Sequence, residues 1–563
     1  MYRVMQEHLL TFEQQWTDEA SGHTLPAFVT EELHKFLDCG ILARGFAHLY
    51  CDTCHEHYAV AFSCKARAVC PSCFGRRMNE CALNLVDHVL PDVPIRQFVL
   101  TVPFPLRFPL AFDGKLIGQV VRIFTDAVAG WYRCRHVARG LPAGETGSIT
   151  VIQRANSDLR LNPHLHTIFL DGVYSPDADG NGQMFHPAPA PTQDEVEALV
   201  GRTSKRILRF LQRRGVLSLV AAPGDGEVSV VADESIGEED PLLAKLLAAA
   251  TAGAEPAGPG NQRKVIRIVH DPDAPPVAKG NLCAQAHAFN LHAATKVAAN
   301  DKQGRLALCR YILRPPLAND RLTIIDDDHV RLDFKKPWSD GTASVELPPL
   351  KLIARLAALV PPPKRHTSRY FGVLSSHASL RSRVVPAPEL SAAAPVTKPD
   401  KPPGKSDSSR YIPWAELVRR TFGFEIVCDK CHGQLRLIAL VKSYEVAQKV
   451  LTAMHLPTEA PEPFPLYLTG DWLALARSPP VPPRFAQQSW ATLAPKGEGE
   501  RQDSTARQTG APQVEKTVGE RGSSCRLSQV ARTDERASSP HTPQGWAYQD
   551  QKSFAKGARD PNS

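Results

Sequence analysis

The sequence predicts an α+β fold with a central, mostly antiparallel sheet, preceded by a small metal-binding module and followed by a disordered tail. Three observations predict it. Strand-like runs at 97–102, 148–154 and 162–172 surround a helix-like segment from about 113 to 137, and a short polar turn at 155–160 joins the last two runs into a hairpin. Two Cys-x-x-Cys pairs, Cys51/Cys54 and Cys70/Cys73, stand ahead of them. After about residue 478 the chain turns to Pro, Ser, Gln, Gly and charge, with little apolar periodicity.

At 563 residues the chain is too long for one core, and two to four domains are expected. A hydrophobic fraction of 43% and a charged fraction of 22% describe a soluble globular protein. The net charge of +7 permits a polyanionic partner without demanding one. No apolar run is long enough to span a bilayer, and the start lacks the apolar core of a signal peptide. A cytoplasmic protein is therefore expected, nucleoid-associated only if it binds DNA. Of 13 cysteines, six fall between Cys39 and Cys73, and another pair is Cys428 and Cys431. In a reducing compartment such clusters read as metal ligands rather than disulfides. Cys81, Cys134, Cys283, Cys309 and Cys525 are scattered and read as ordinary small apolar residues.

In chain order, residues 1–38 look helical and amphipathic, with Phe28, Leu33 and Phe36 at helix spacing. The two knuckles follow, with the spacing of one four-thiolate zinc site made by Cys51, Cys54, Cys70 and Cys73, and a strand-like hairpin near 58–62 between them. A redox Cys pair would not explain two knuckles. Cys39, Cys64, His55 and His57 are alternates or supporting groups. Lys65, Arg67, Arg76 and Arg77 make a basic flank that suits phosphate contact, or equally a solvated face.

Asn162-Pro163-His164-Leu165-His166 opens the third strand-like run. Side chains alternate along a strand, so His164 and His166 share one face and Leu165 anchors the other. That arrangement offers two metal ligands on a stiff support; two half-exposed histidines would look the same. A helix at 192–214 carries Asp194, Glu195 and Glu197 early and arginines late, which complements its dipole. Arg202, Arg206, Arg209 and Arg213 fall on one stripe, a candidate phosphate-binding ridge or a solvated face. Residues 219–282 read as inserts and loops with one strand at 265–269. A helix from about Gly304 is stopped by Pro315 and Pro316, which leaves Tyr311 in its last turn between Arg310 and Arg314. A nucleophilic tyrosine needs such a mount and such cations, although a half-buried structural tyrosine shares the pattern.

Beyond it lie a β-pair (330–338 and 342–347), a helix (350–359), a Pro/Ala/Lys/Ser linker (386–409) and a small module at 410–477. That module comprises a helix at 414–421, the pair Cys428/Cys431 and a strand at 435–441. One Cys pair cannot close a tetrahedral site, so His432 or a residue elsewhere must join it. The expected division is a zinc module with a helical arm at 1–95, a catalytic domain at 96–385, the linker, the small module, and the tail at 478–563.

The candidate chemistry joins these parts. Two neutral imidazoles and a divalent ion position a phosphodiester, and the Tyr311 phenolate attacks in line to leave a phosphotyrosine and a free hydroxyl. The combination extends over much of the chain: Phe62-Ser63-Cys64-Lys65 to Cys70-Pro71-Ser72-Cys73 with Arg76-Arg77-Met78, Pro94-Ile95-Arg96-Gln97, the stretch 162–174, Leu308-Cys309-Arg310-Tyr311 with Arg314-Pro315-Pro316-Leu317-Ala318, 336–342, Phe371-Gly372-Val373-Leu374 and Cys428-Asp429-Lys430-Cys431. In these residues the chain resembles the histidine–hydrophobe–histidine (HUH) single-strand DNA endonucleases. More specifically, it is similar to the rolling-circle transposases of insertion-sequence-91-like elements and the related insertion-sequence common regions.

The resemblance implies an HUH nuclease domain behind an N-terminal zinc module. His164 and His166 are then ligands of a catalytic Mg²⁺ or Mn²⁺, Tyr311 is the nucleophile, and Cys51, Cys54, Cys70 and Cys73 hold structural Zn²⁺. Gln153 or His292 would be the third catalytic-metal ligand. Many members place a second tyrosine four residues before the first; here that position is Ala307, so this helix has no two-tyrosine relay. The implied partners are single-stranded element ends and target DNA, contacted by Arg76, Arg77, Arg202, Arg206, Arg209, Arg213, Arg310 and Arg314. No Gly-x-x-x-x-Gly-Lys-Ser/Thr loop is present, so any unwinding falls to a host helicase. The competing readings are a plasmid relaxase or replication initiator with the same chemistry, a non-catalytic zinc-dependent DNA-binding protein, and an inactive copy.

Overall fold

The computed structural model describes residues 1–459 apart from 19–21, 178, 180–181, 222–227, 233–235, 255–267, 271–274, 339, 387–427, 429 and 434. The expected helix at 414–421, nearly all of the linker and the tail after 478 lie outside the described residues. No helix among the described residues is long and apolar enough to cross a membrane.

The N-terminal part comprises α1 (Tyr2–Gln15), α2 (Ala27–Leu37), β1 (Phe46–Cys51), β2 (His57–Ala61) and α3 (Pro71–His88). The helical arm expected as one stretch is thus two helices, with Leu33 and Phe36 both buried. The next elements are β3 (Ile95–Thr101), α4 (Phe104–Phe112), α5 (Gly114–Ala138), β4 (Gly147–Ala155), β5 (Leu161–Leu170), β6 (Gly172–Pro176), β7 (Gln183–Pro187) and α6 (Gln193–Arg213). Asp113 caps α5 by accepting from the amides of Lys115 and Leu116. Thr192 and Glu195 form a capping box at the start of α6, worth about 1 kcal/mol.

The segment read as inserts and loops contains β8 (Leu217–Ala221), β9 (Val228–Ala232), α7 (Pro241–Ala252) and β10 (Ile268–His270). Its helix was hidden by an alanine- and leucine-rich composition that gives a weak amphipathic signal, and much of the strand expected at 265–269 lies outside the described residues. There follow β11 (Val277–Gly280), β12 (Cys283–Ala286), β13 (Phe289–His292), β14 (Lys296–Val297), α8 (Lys302–Ile312), β15 (Leu322–Ile324), β16 (Val330–Asp333), β17 (Ser344–Leu347), α9 (Pro349–Leu359), β18 (Ser368–Gly372) and α10 (Arg381–Val384). The last described elements are β19 (Leu435–Val441) and α11 (Tyr444–Ala453).

The main sheet runs β11-β12-β13-β3-β5-β4-β18, with β14 also on β3, and all its pairings are antiparallel. β5 lies between β3 and β4, and nearly every side chain on it is buried. Its two faces have different covers. Phe98, Leu100, Leu165 and Phe169 pack against α5 and α6. Ile95, Ile149, Val151 and Ile168 pack against α3 and α8. Leu165 is 1% exposed, so truncation to alanine would cost about 2–5 kcal/mol and loosen the strand beneath the histidines.

A separate three-stranded antiparallel sheet has the order β19-β1-β2. The segment from Cys428 onward, expected as a module of its own, therefore completes the N-terminal sheet, with Phe46 opposite Val441 and Cys51 opposite Leu435. Phe46, Val441, Ala447 and Leu451 form its small core.

Candidate active site

β5 places His164 and His166 on the face that α3 and α8 cover, with their ring centroids 4.9 Å apart. His164 Nδ1 lies 2.7 Å from the Asn162 carbonyl oxygen. A carbonyl can only accept, so Nδ1 carries the proton and Nε2 keeps a bare lone pair. His166 is 2% exposed, and its Nδ1 lies 2.9 Å from the side-chain amide of Gln97. The amide nitrogen makes that contact and donates to Nδ1; turned over, the same amide presents its oxygen to Nδ1–H, and Nε2 is then bare here too. His166 Nε2 is buried with no hydrogen-bond partner among the described residues. Burial pushes the His166 pKa down to about 3, helped by neighbouring His164 and Arg314. Burial also lowers that of His164, with Arg314 and Arg107 acting in the same direction. Both rings are neutral near pH 7, and an orphaned buried imidazole nitrogen fits a metal ion.

Tyr311 comes from α8, which Asp301 caps by accepting from the Gly304 amide. Leu308, Cys309 and Ile312 bury the helix against the sheet, while Tyr311 stays 45% exposed. Its ring meets His166 edge-on at 5.5 Å, and the Arg314 guanidinium lies 4.8 Å from its centroid. Arg305, 4% exposed, anchors the helix through Asp92 and the Leu90 and Pro91 carbonyls. A cleft of about 370 Å³ beside Tyr311 is lined by Gln97, Val99, His292, Gly304 and Ala307 among others.

The two candidates for a third ligand are placed differently. Gln153 is opposite His164 on β4. Its side-chain nitrogen donates to the carbonyls of Tyr311 (3.3 Å) and Ile312 (2.8 Å), the open end of α8. His292 aligns with Val99 on β3, which itself aligns with His166 on β5. Two strand spacings, roughly 10 Å of backbone, therefore separate the two histidines. Among the described residues no Asp, Glu, Cys or further His joins the His164–His166 pair in a close donor group. Gln97 touches His166 directly and was missed in the sequence; the available signal was a lone amide within an apolar strand.

The predicted arginines divide between the sheet's faces. Arg310 and Arg314 flank Tyr311, and Arg76 and Arg77 lie on α3 on the same side, Arg77 donating to the Lys65 carbonyl at 2.8 Å. Arg202, Arg206, Arg209 and Arg213 are exposed on α6, which covers the opposite face. A groove of about 550 Å³ there is lined by Ile123, Arg206, Arg209, Gln212 and Arg213. Arg107 on α4 acts electrostatically on His164, and its buried Nε has no hydrogen-bond partner among the described residues.

The cysteines form two groups, each with its four sulfurs within 4.8 Å of one another: Cys39, Cys64, Cys70 and Cys73, and separately Cys51, Cys54, Cys428 and Cys431. The single site expected from Cys51, Cys54, Cys70 and Cys73 is therefore split. The β1–β2 hairpin is the reason. Cys51 and Cys54 sit at its tip. Cys39 and Cys64 flank its base, where the Gly40 amide bonds the Phe62 carbonyl. A five-residue strand separates tip from base by roughly 17 Å, so Cys70 and Cys73 at the start of α3 meet the base pair. In that cluster Cys39 lies 3.5 Å from Cys73 and 3.8 Å from Cys70, and Cys64 lies 3.6 Å from Cys73. Hydrogen bonds from the other three thiols hold Cys73 toward the thiolate while Cys64 and Cys70 are pushed up. A bound divalent ion removes that conflict.

Two family models match the chain. Residues 147–382, which contain the histidines and Tyr311, match the transposase family Y2_Tnp. Residues 6–102, which contain the first seven cysteines, match the insertion-sequence-91-type transposase zinc-binding domain. No curated protein and no solved structure matched. A transposase zinc-binding domain followed by a transposase domain, in the order the sequence implied, places the chain among the insertion-sequence-91-like transposases.

Proposed function

We propose that this transposase nicks and transfers single-stranded DNA at element ends by a rolling-circle route, through a covalent 5′-phosphotyrosine on Tyr311. The observation that carries the reading is the contact of Tyr311 with His166, which puts one exposed phenol beside two neutral imidazoles. The Nε2 atoms of His164 and His166 would hold Mg²⁺ or Mn²⁺, and Gln97 orients the His166 ring. When bound, such an ion withdraws charge from the phosphate oxygens as the transition state forms. Tyr311 attacks phosphorus: its hydroxyl gives up its proton to water as its oxygen forms the new P–O bond, the bond to the 3′ oxygen breaks, and that oxygen takes up a proton from water. Because one phosphoester replaces another, rejoining needs no nucleotide cofactor. Arg314, Arg310 and Arg107 hold the strand beside the cleft. Cys39, Cys64, Cys70 and Cys73 hold a zinc ion that fixes α3 against the β1–β2 hairpin.

A covalent adduct on single-stranded DNA carrying the element's end, formed with Mn²⁺ or Mg²⁺, tests this directly. The expected result is an adduct in the wild type and none in Tyr311→Phe. An adduct that survives Tyr311→Phe, or none with either metal, sinks the mechanism.

A further inference from the structure

The hairpin tip and the distant Cys428 knuckle carry the same short sequence. Cys51-Asp52-Thr53-Cys54-His55 and Cys428-Asp429-Lys430-Cys431-His432 both read Cys-Asp-x-Cys-His. They also share a backbone: His55 has φ 60° and His432 has φ 58°, an uncommon conformation for a non-glycine residue. In each knuckle the last amide bonds back to the first carbonyl, His55 to Cys51 and His432 to Cys428, both at 2.9 Å. The amide pattern toward sulfur repeats as well. Thr53 and Cys54 donate to the Cys51 sulfur, and Lys430 and Cys431 to the Cys428 sulfur. Glu56 donates to Cys54, and Gly433 to Cys431.

The two knuckles face each other. Cys51 lies 3.3 Å from Cys431 and Cys54 lies 3.3 Å from Cys428, while the Tyr58 hydroxyl approaches Cys428 at 3.0 Å. Four sulfurs around a zinc ion lie about 3.8 Å apart for bonds near 2.3 Å, so a slight expansion seats the ion. The pairing of β19 with β1 brings the knuckles into this position, and Arg436–Asp52 and Lys430–Glu56 ion pairs flank it. Cys428 and Cys431 lie beyond both family matches.

We propose that Cys51, Cys54, Cys428 and Cys431 hold a second structural zinc ion, a tetrathiolate site assembled from the two ends of the described chain. Its role is to fasten β19 and α11 to the N-terminal hairpin. Cys428 and Cys431, which have no neighbouring Cys pair in sequence, thus find their ligand partners in Cys51 and Cys54.

The test is zinc content of the full chain, measured by elemental analysis together with protein concentration. Two zinc ions per chain are expected in the wild type, and one in Cys428→Ser and in Cys431→Ser. Cobalt-substituted wild type gives a second readout that needs no variant: thiolate-to-cobalt charge-transfer absorption should saturate at two equivalents. One zinc in the wild type, saturation at one equivalent, or unchanged metal content in a folded Cys431→Ser would overturn the proposal. None of these readouts involves DNA, so failure of the nicking mechanism and failure of the second zinc site are distinguishable.

Discussion

The two cysteine clusters are alike in chemistry and opposite in topology. Cys39 and Cys73 are 34 residues apart; Cys51 and Cys431 are 380 apart. Closing the longer loop costs only about 2 kcal/mol more than closing the shorter, because the cost grows with the logarithm of length. A structural zinc site contributes roughly 10–16 kcal/mol, so it outweighs either closure. What differs is the dependent structure. The near cluster sits in the largest apolar core, where Cys70 and Cys73 pack with Leu33, Phe36 and Val69. The far cluster lies at the opposite end of its sheet from a core of four buried residues. The candidate active site repeats the division in milder form: its histidines share one hairpin, while Tyr311 is tied to that hairpin by Gln153 across 158 residues.

The largest effect is expected from Cys70→Ser. It removes a near-cluster ligand and the side chain that caps α3, so one zinc, a cooperative thermal transition of the N-terminal part and DNA binding should disappear together. Cys431→Ser should instead leave that transition and single-strand nicking in place while β19 and α11 become protease-sensitive. Equal collapse in both variants would erase the distinction between the clusters. Gln97→Ala should raise the Mn²⁺ concentration for half-maximal nicking by about 10–100-fold, the usual cost of removing a hydrogen-bond partner from a ligating histidine. An unchanged Mn²⁺ dependence would remove Gln97 from the site. Smallest is the effect of Arg206→Ala with Arg209→Ala. Each phosphate that a basic side chain neutralises adds about 0.7 to the log–log salt slope of single-strand binding, so this double variant should bind with a shallower slope. Because α6 covers the far face, nicking at saturating DNA should hold; a fall there would place the ridge in the catalytic path.

Local signals carried the sequence reading furthest. Strand periodicity located β3, β4 and β5, and Leu165 is buried opposite the histidines as alternation requires. Asp113, Thr192 and Asp301 cap helices close to where the sequence indicated. Spacing failed where tertiary pairing decided. Cys51 and Cys70 are near in sequence, yet a hairpin's length keeps them in separate clusters. Nothing local to Cys428 names Cys54 as its neighbour, since that depends on which strand β19 joins. Gln97 stood in the resembling stretch 94–97, but its role was not legible for the same reason: it comes from His166 on the adjacent strand.

Gln153 stands beside His164 in the hairpin and grips the last carbonyls of α8. Tyr311 and the histidines are consequently parts of one rigid jig, not two surfaces that must find each other at each encounter. In the proposed reaction such a jig serves cleavage and rejoining equally, because the return step crosses the same barrier from the other side. Its tolerance is narrow: an ångström of slack between nucleophile and phosphorus can cost about 100-fold in rate. A glutamine that holds the helix end carrying the nucleophile would then govern the timing of both halves of the cycle.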